Sequence, residues 1–156
     1  MTSHSHQADG SHHHGIVVGI DGSGASLRAL SWAFSEAERR SVDLDVIIAW
    51  TFPYQWAEGF DVMWREDSEY FAKTSLAEAE KAVDNLLDGN PRPPWLHVHA
   101  IVGAASVVLL HRAKTAEMLV VGTRGRGGFR DLLLGSVSTA CVHHTPCPIA
   151  VIPCND

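Results

Sequence analysis

Five short stretches of the chain are apolar enough to be strands: Ile16 to Ile20, Val46 to Trp50, Trp95 to Val102, Met118 to Val121 and Ile149 to Ile152. The first has the unbroken apolar character of a strand buried on both faces, and the third alternates. Between them the period changes. Leu27, Leu30, Phe34 and Ala37 recur at helical spacing and predict a first helix to about Arg40. Ala72, Leu76, Ala79, Val83 and Leu86 step by four and three, predicting an amphipathic helix ended by Gly89-Asn90-Pro91. A third helix is opened by Gly103 and carries Val107, Leu110 and Ala113; a fourth starts at Ser136, carries Val137, Ala140 and Cys141, and stops at Pro146. Strands that alternate with helices pair in parallel through right-handed crossovers. The expected class is α/β: a single-domain, doubly wound five-stranded parallel sheet spanning residues 16–153, preceded by a disordered His-rich tail over 1–15.

Two strand-to-helix turns are rich in glycine. The first strand ends in Asp21-Gly22-Ser23-Gly24, and the fourth empties into Gly122-Thr-Arg-Gly-Arg-Gly-Gly-Phe-Arg-Asp-Leu-Leu-Leu-Gly-Ser136. Glycines let backbone approach a ligand, and the unpaired N–H groups of the following helix favour an anion. Arg124, Arg126 and Arg130 fall in this second loop, although the chain has only 12 Lys plus Arg against 18 Asp plus Glu. Cations concentrated on one loop of an acidic chain mark an anion site. Asp21, at the carboxyl end of the first strand, could accept from a ribose hydroxyl or a base, or cap the first helix, a role open to Ser23 as well. If the first and fourth strands are neighbours, both turns face one crevice.

Composition narrows the rest. With 156 residues, 46% hydrophobic and 19% charged, the chain is long enough for one packed core. A net charge of −6 argues against nucleic acid or an anionic membrane as the main partner, and no apolar run reaches a membrane span of roughly 20 residues. Cys141, Cys147 and Cys154 are odd in number without a CxxC pair, which fits reduced thiols in a cytoplasm. The tail holds five of the ten histidines, His4, His6, His12, His13 and His14, which read as an unstructured leader or a transition-metal binder. His97 and His99 share one strand face, as a metal pair or as solvent-facing residues; the sequence places no third ligand. Cys141, His143, His144 and Cys147 straddle a helix end, so convergence on zinc is not expected. Trp50, Phe52, Tyr54, Trp56, Phe60 and Trp64 crowd one segment of 15 residues, a lid or partner surface in one reading and packing on the chain's own sheet in the other.

These residues resemble the universal stress protein family, specifically its ATP-binding branch. The likeness rests on Val17-Val18-Gly19-Ile20-Asp21-Gly22-Ser23, on the Gly122 loop, and on Val142-His143-His144-Thr145-Pro146-Cys147-Pro148-Ile149. The family's nucleotide motif (Gly, two residues, Gly, nine residues, Gly, then Ser or Thr) falls on Gly122, Gly125, Gly135 and Ser136. The resemblance implies a Rossmann-like fold of the adenine nucleotide α-hydrolase type with strand order 3-2-1-4-5, and ATP as cofactor. Asp21 would bind ribose or adenine, with Ile20 and Ala49 lining the base. Gly122 and Gly125 would hug the ribose and α-phosphate, and Gly135, Ser136, Val137 and Ser138 would donate to the phosphates. Val121 and Arg124 complete the implied set. Pairing of the fifth strands would make a homodimer. One departure stands out: Gly103-Ala104-Ala105 occupies the place of a frequent Gly-x-Pro, losing the preset φ of a first-turn proline.

No catalytic constellation accompanies the motif. The chain has no GxxxxGK[ST], hence no P-loop lysine. Asp131 is the one acid beside the loop, a candidate base or Mg²⁺ partner that a solvated loop or cap role explains as well. Any Mg²⁺ would be held through phosphates and water. The expected function is nucleotide-dependent regulation in a stress response through partner proteins. The alternatives are recruitment through the aromatic segment 50–64 with the nucleotide only structural, and slow ATP hydrolysis.

Overall fold

The computed structural model describes residues 15–52, 64–125 and 133–154. The chain runs β1 (Ile16–Ile20), α1 (Gly24–Arg40), β2 (Leu44–Trp50), α2 (Trp64–Leu87), β3 (Leu96–Val102), α3 (Ala105–Ala113), β4 (Met118–Gly122), α4 (Ser136–His144), β5 (Ile149–Ile152). All five strands are parallel in the order β3-β2-β1-β4-β5. The strand order therefore reverses at β1, whose two neighbours are β2 and β4.

Two apolar layers hold the sheet. On one face α1 and α2 bury Ala29, Leu30, Ala33, Ala37, Ala79 and Val83 against Val18, Val46 and Val120. On the other, α3 and α4 bury Val108, Leu109, Ala113 and Cys141 against Val17, Ile47, Leu119 and Val121. Successive strand side chains go to opposite layers, so β1 and β4, covered on both faces, are apolar throughout, and β2 is apolar but for Asp45 near its start.

The apolar spacing picks the inward face at Leu30, Ala37, Ala79, Val83, Ala113 and Cys141, but not at every position. Leu27 is 40% exposed, and α1 packs instead through the small residues Ala25, Ala29, Ala33 and Ala37, with Leu30. Alanine contributes little to an apolar pattern but lets a helix lie close to a sheet. Phe34, half-buried, meets Trp95 at 5.1 Å between ring centroids. In α3 the unbroken run Val107-Val108-Leu109-Leu110 leaves the helical phase open; Val108 and Leu109 are buried while Val107 is 65% exposed. Helix α3 also begins at Ala105, after Gly103 at φ 139° and Ala104 at the N-cap, rather than at Gly103. Among the described residues no helix is long and apolar enough to cross a membrane. The His-rich tail and most of the aromatic segment, residues 53–63, lie outside the described residues. Of that segment, Trp50 and Phe52 pack on each other at 5.3 Å and on Phe71 of α2 at 6.4 and 6.2 Å.

Candidate functional site

A crevice of about 530 Å³ opens where the strand order reverses, at the carboxyl ends of the sheet. Open parallel sheets bind ligands at such a point, because the connections on either side of it leave in opposite directions. The strands contribute Ile20 and Asp21, Ala49, and Val121 and Gly122; the segment after β4 contributes Arg124 and Gly125. Gly135, Ser136, Val137 and Ser138 close it at the start of α4. All eleven residues singled out from the sequence thus line one crevice. The sequence reading missed Gly19, Ser26, Ile47, Ala105 and Leu109, which also line it.

Asp21 is held by its own turn. Its Oδ1 accepts from the Ser23 N–H at 2.9 Å, and its N–H donates to Ser26 Oγ at 3.2 Å. Ser23 is the N-cap of α1, its hydroxyl accepting from the Ser26 N–H at 3.3 Å, while Ser26 Oγ donates to Ser23 O at 3.0 Å. The Ser-x-x-Ser spacing is the signal that would have placed Ser26 at the crevice.

The start of α4 is built otherwise. Its N-cap is Gly135, not Ser136, in extended backbone and with no side-chain hydrogen bond. The first-turn N–H groups of a helix have no intrahelical partner, and the cap residue here, a glycine, has no side chain to accept from them. Ser138 lies deep in this turn, 3% exposed, and its hydroxyl is directed to Thr123 O at 2.8 Å and Gly135 O at 3.0 Å. A hydroxyl has one proton, so Ser138 can offer a phosphate its backbone N–H but not the proton held there. Ser136 is exposed at the mouth.

Each glycine of the motif has its own steric reason. A Cβ at Gly122 would stand 2.7 Å from the Ala25 carbonyl carbon, inside the backbone of α1. One at Gly125 would run into Asp21 Oδ2, so Gly125 is where the second loop closes on the first. One at Gly135 would make ordinary contact with the backbone of residues 123–125, the nearest atom being Arg124 Cα at 3.5 Å. The crevice therefore brings a carboxylate, Arg124 and a helix start without a capping side chain into one lining. Such a lining suits a molecule that carries both hydroxyls or a base and negative charge. Arg126, Arg130 and Asp131 lie outside the described residues.

The remaining candidates do not converge here. His99 Nε2 is 3.0 Å from Asp45 Oδ1 and His97 Nε2 3.9 Å from Asp43 Oδ2, at the opposite end of the strands. Cys141 is fully buried, and burial pushes its thiol up to about 11; His143 and His144 are exposed. All three cysteines are free.

The model of the universal stress protein family matches residues 13–153. The chain belongs to the universal stress protein family. Among curated universal stress proteins it is 40% identical over 149 residues to Rv1996 of Mycobacterium tuberculosis (strain ATCC 25618 / H37Rv), covering 89% of this chain and 44% of that protein. The chain thus spans a little under half the length of that relative. Among solved structures, the universal stress protein UspA from Lactobacillus plantarum superposes with a TM-score of 0.71 at 22% identity, covering 91% of this chain and 99% of the other. A universal stress protein solved in complex with cAMP superposes with a TM-score of 0.61 at 26% identity, covering 91% and 98%. The family places the crevice in context: a universal stress protein fold with its Gly122, Gly125, Gly135, Ser136 spacing intact around it.

Proposed function

We propose that this chain is a universal stress protein that binds an adenine nucleotide, ATP in the first instance, and passes its occupancy to partner proteins as a regulatory signal. The observation that carries the reading is the lining of one crevice by Asp21, Arg124 and the start of α4, whose glycine N-cap makes no side-chain hydrogen bond. The structural relative at 26% identity solved with cAMP supports an adenine nucleotide as the class. In this reading Asp21 accepts from ribose or adenine, with Ile20, Ala49 and Val121 against the base. Gly122 and Gly125 admit the sugar and first phosphate. The backbone N–H groups of Ser136, Val137 and Ser138 receive the phosphates beside Gly135 and Arg124, and Mg²⁺ is carried by the phosphates and water. The crevice volume falls in the usual range for cofactor sites.

Strand β5 is an edge whose outer side has no partner among the described residues, and a second copy adding there makes the homodimer. Three free thiols fit a reducing cytoplasm.

The test is to denature freshly purified protein and identify what it releases. Adenine nucleotide near one per chain supports the reading. No release, followed by no binding of added ATP, AMP or cAMP, overturns it. Gly135→Leu serves as the control, because Gly135 lines the crevice and a Cβ there makes only ordinary contact with the backbone of residues 123–125. Binding unaffected by that variant would place the ligand elsewhere.

A further inference from the structure

Ser23 follows Asp21-Gly22 at the exit of β1, where Gly22 takes φ 78° and turns the chain toward α1. Every polar group of this residue is engaged. Its N–H donates to Asp21 Oδ1 at 2.9 Å, and its carbonyl accepts from Ser26 Oγ and from the Leu27 N–H, both at 3.0 Å. Its Oγ accepts from the Ser26 N–H at 3.3 Å, the capping bond of α1. The hydroxyl proton goes elsewhere: it is donated to Arg124 O at 3.3 Å, 101 residues away along the chain.

Capping does not account for that last bond. Ser, Thr, Asn and Asp all cap, through an oxygen that accepts from the first turn. An aspartate at this position would cap but have no proton to give, and would set its charge beside the Arg124 carbonyl oxygen. A hydroxyl does both. The chain uses it where the two glycine turns meet. A Cβ at Gly122 would stand 2.7 Å from the Ala25 carbonyl carbon, and one at Gly125 would run into Asp21 Oδ2. Residues 122–125 therefore run against the start of α1, with the Ser23 hydroxyl bonded to Arg124 between those two close approaches.

The same segment is held from α4 as well. Thr123 N–H donates to Ile152 O at 3.0 Å, and Thr123 O accepts from the Gly135 N–H and the Ser138 hydroxyl. The consecutive carbonyls of Thr123 and Arg124 are thus held by the starts of two different helices, α4 and α1. Because the peptide unit is planar, fixing the Arg124 carbonyl also fixes the Gly125 N–H. Arg124 and Gly125 both line the crevice.

We infer that Ser23 is a positioning residue of the crevice, whose hydroxyl sets the direction in which Arg124 and Gly125 leave β4. It acts through Arg124 rather than on a ligand. Its effect on nucleotide affinity rests on the reading proposed above; its effect on the segment does not.

Three variants separate this role from capping. Ser23→Thr keeps both bonds, Ser23→Asp keeps the cap without the proton, and Ser23→Ala loses both. In the ligand-free full chain, amide hydrogen exchange at Ser26 reads the cap, and exchange at Thr123 and Gly135 reads the segment. Ser23→Thr should match the parent throughout. Ser23→Asp should leave Ser26 protected while Thr123 and Gly135 exchange about fivefold faster, and Ser23→Ala should speed all three. In calorimetric titration, ATP should bind Ser23→Ala, which adds no charge, about tenfold more weakly, and Ser23→Thr as tightly as the parent. If Thr123 and Gly135 exchange at the parent rate in Ser23→Asp, the hydroxyl only caps and the inference is overturned. Unchanged ATP affinity in Ser23→Ala overturns it too. Faster exchange at Thr123 in a chain that binds no ATP would uphold the positioning role and remove the nucleotide reading instead. Should Ser23→Ala fail to fold, exchange in Ser23→Asp against Ser23→Thr decides.

Discussion

Two turns carry a strand through glycine into a helix, β1 into α1 and β4 into α4, and they use their hydrogen-bonding groups in opposite ways. In the first, Ser23 caps the helix, Ser26 bonds back to Ser23, and Asp21 accepts from the Ser23 N–H. In the second, the N-cap is a glycine with nothing to offer, and the nearby hydroxyl of Ser138 is turned back to Thr123 O and Gly135 O. One turn caps its helix with a serine and holds a carboxylate; the other starts its helix on a glycine, with no capping side chain. Glycine content alone does not say which turn receives an anion. What the flanking side chains do with the first-turn N–H groups does.

The largest expected effect comes from prying the turns apart. Gly122→Val places methyl groups in the backbone of α1 at Ala25. It should cost about 3 kcal/mol of stability in urea unfolding, before any ligand effect. Next is a variant that makes the second turn resemble the first. Gly135 has φ −76° and ψ 174°, which any residue can adopt, and its Cβ meets nothing close. Gly135→Asp should cap α4, raising stability by about 0.5–1 kcal/mol, while weakening nucleotide binding about a hundredfold, or ~2.7 kcal/mol. A variant that is capped and still binds at full strength would dissolve the contrast. Ser23→Ala should cost about 1 kcal/mol of stability in urea unfolding, since that hydroxyl caps α1 and also donates to Arg124 O at 3.3 Å.

The smallest effect concerns Cys141, on the buried face of α4 behind the open donors. Burial raises its thiol from 9.0 to about 11. The folded state therefore holds the neutral thiol, and stability is full below pH 9 and declines as pH rises through about 11. Iodoacetamide at pH 8 should modify Cys147 and Cys154 in the native protein and spare Cys141, as peptide mapping would show.

The architecture was legible because each element carries a period of its own and the glycine turns fall between them. The helix faces were less so. Leu27 and Val107 fit an apolar stripe but face solvent, since alanines in α1 and the unbroken run in α3 decide the rotation by fit to the sheet. The site residues taken from the motif all reached the crevice, yet the reasons for the glycines were not readable. Gly125 is small because Asp21, far away in sequence, lies beside it. Leu109 lines the crevice because Gly19 on β1 leaves room for its methyl groups. Such requirements arise from long-range contact and leave no local spacing.

Thr123 O accepts from the Gly135 N–H at 2.7 Å as well as from the Ser138 hydroxyl at 2.8 Å. The strand leaving the sheet and the helix returning to it are thereby fastened together, and in covalent terms the bond from Gly135 to Thr123 closes a ring of chain. Enlarging a closed ring is inexpensive: each doubling of its length adds only about 0.6 kcal/mol of closure entropy. A peptide epitope or a small fluorescent reporter could be spliced into that ring without loosening the helix start behind it.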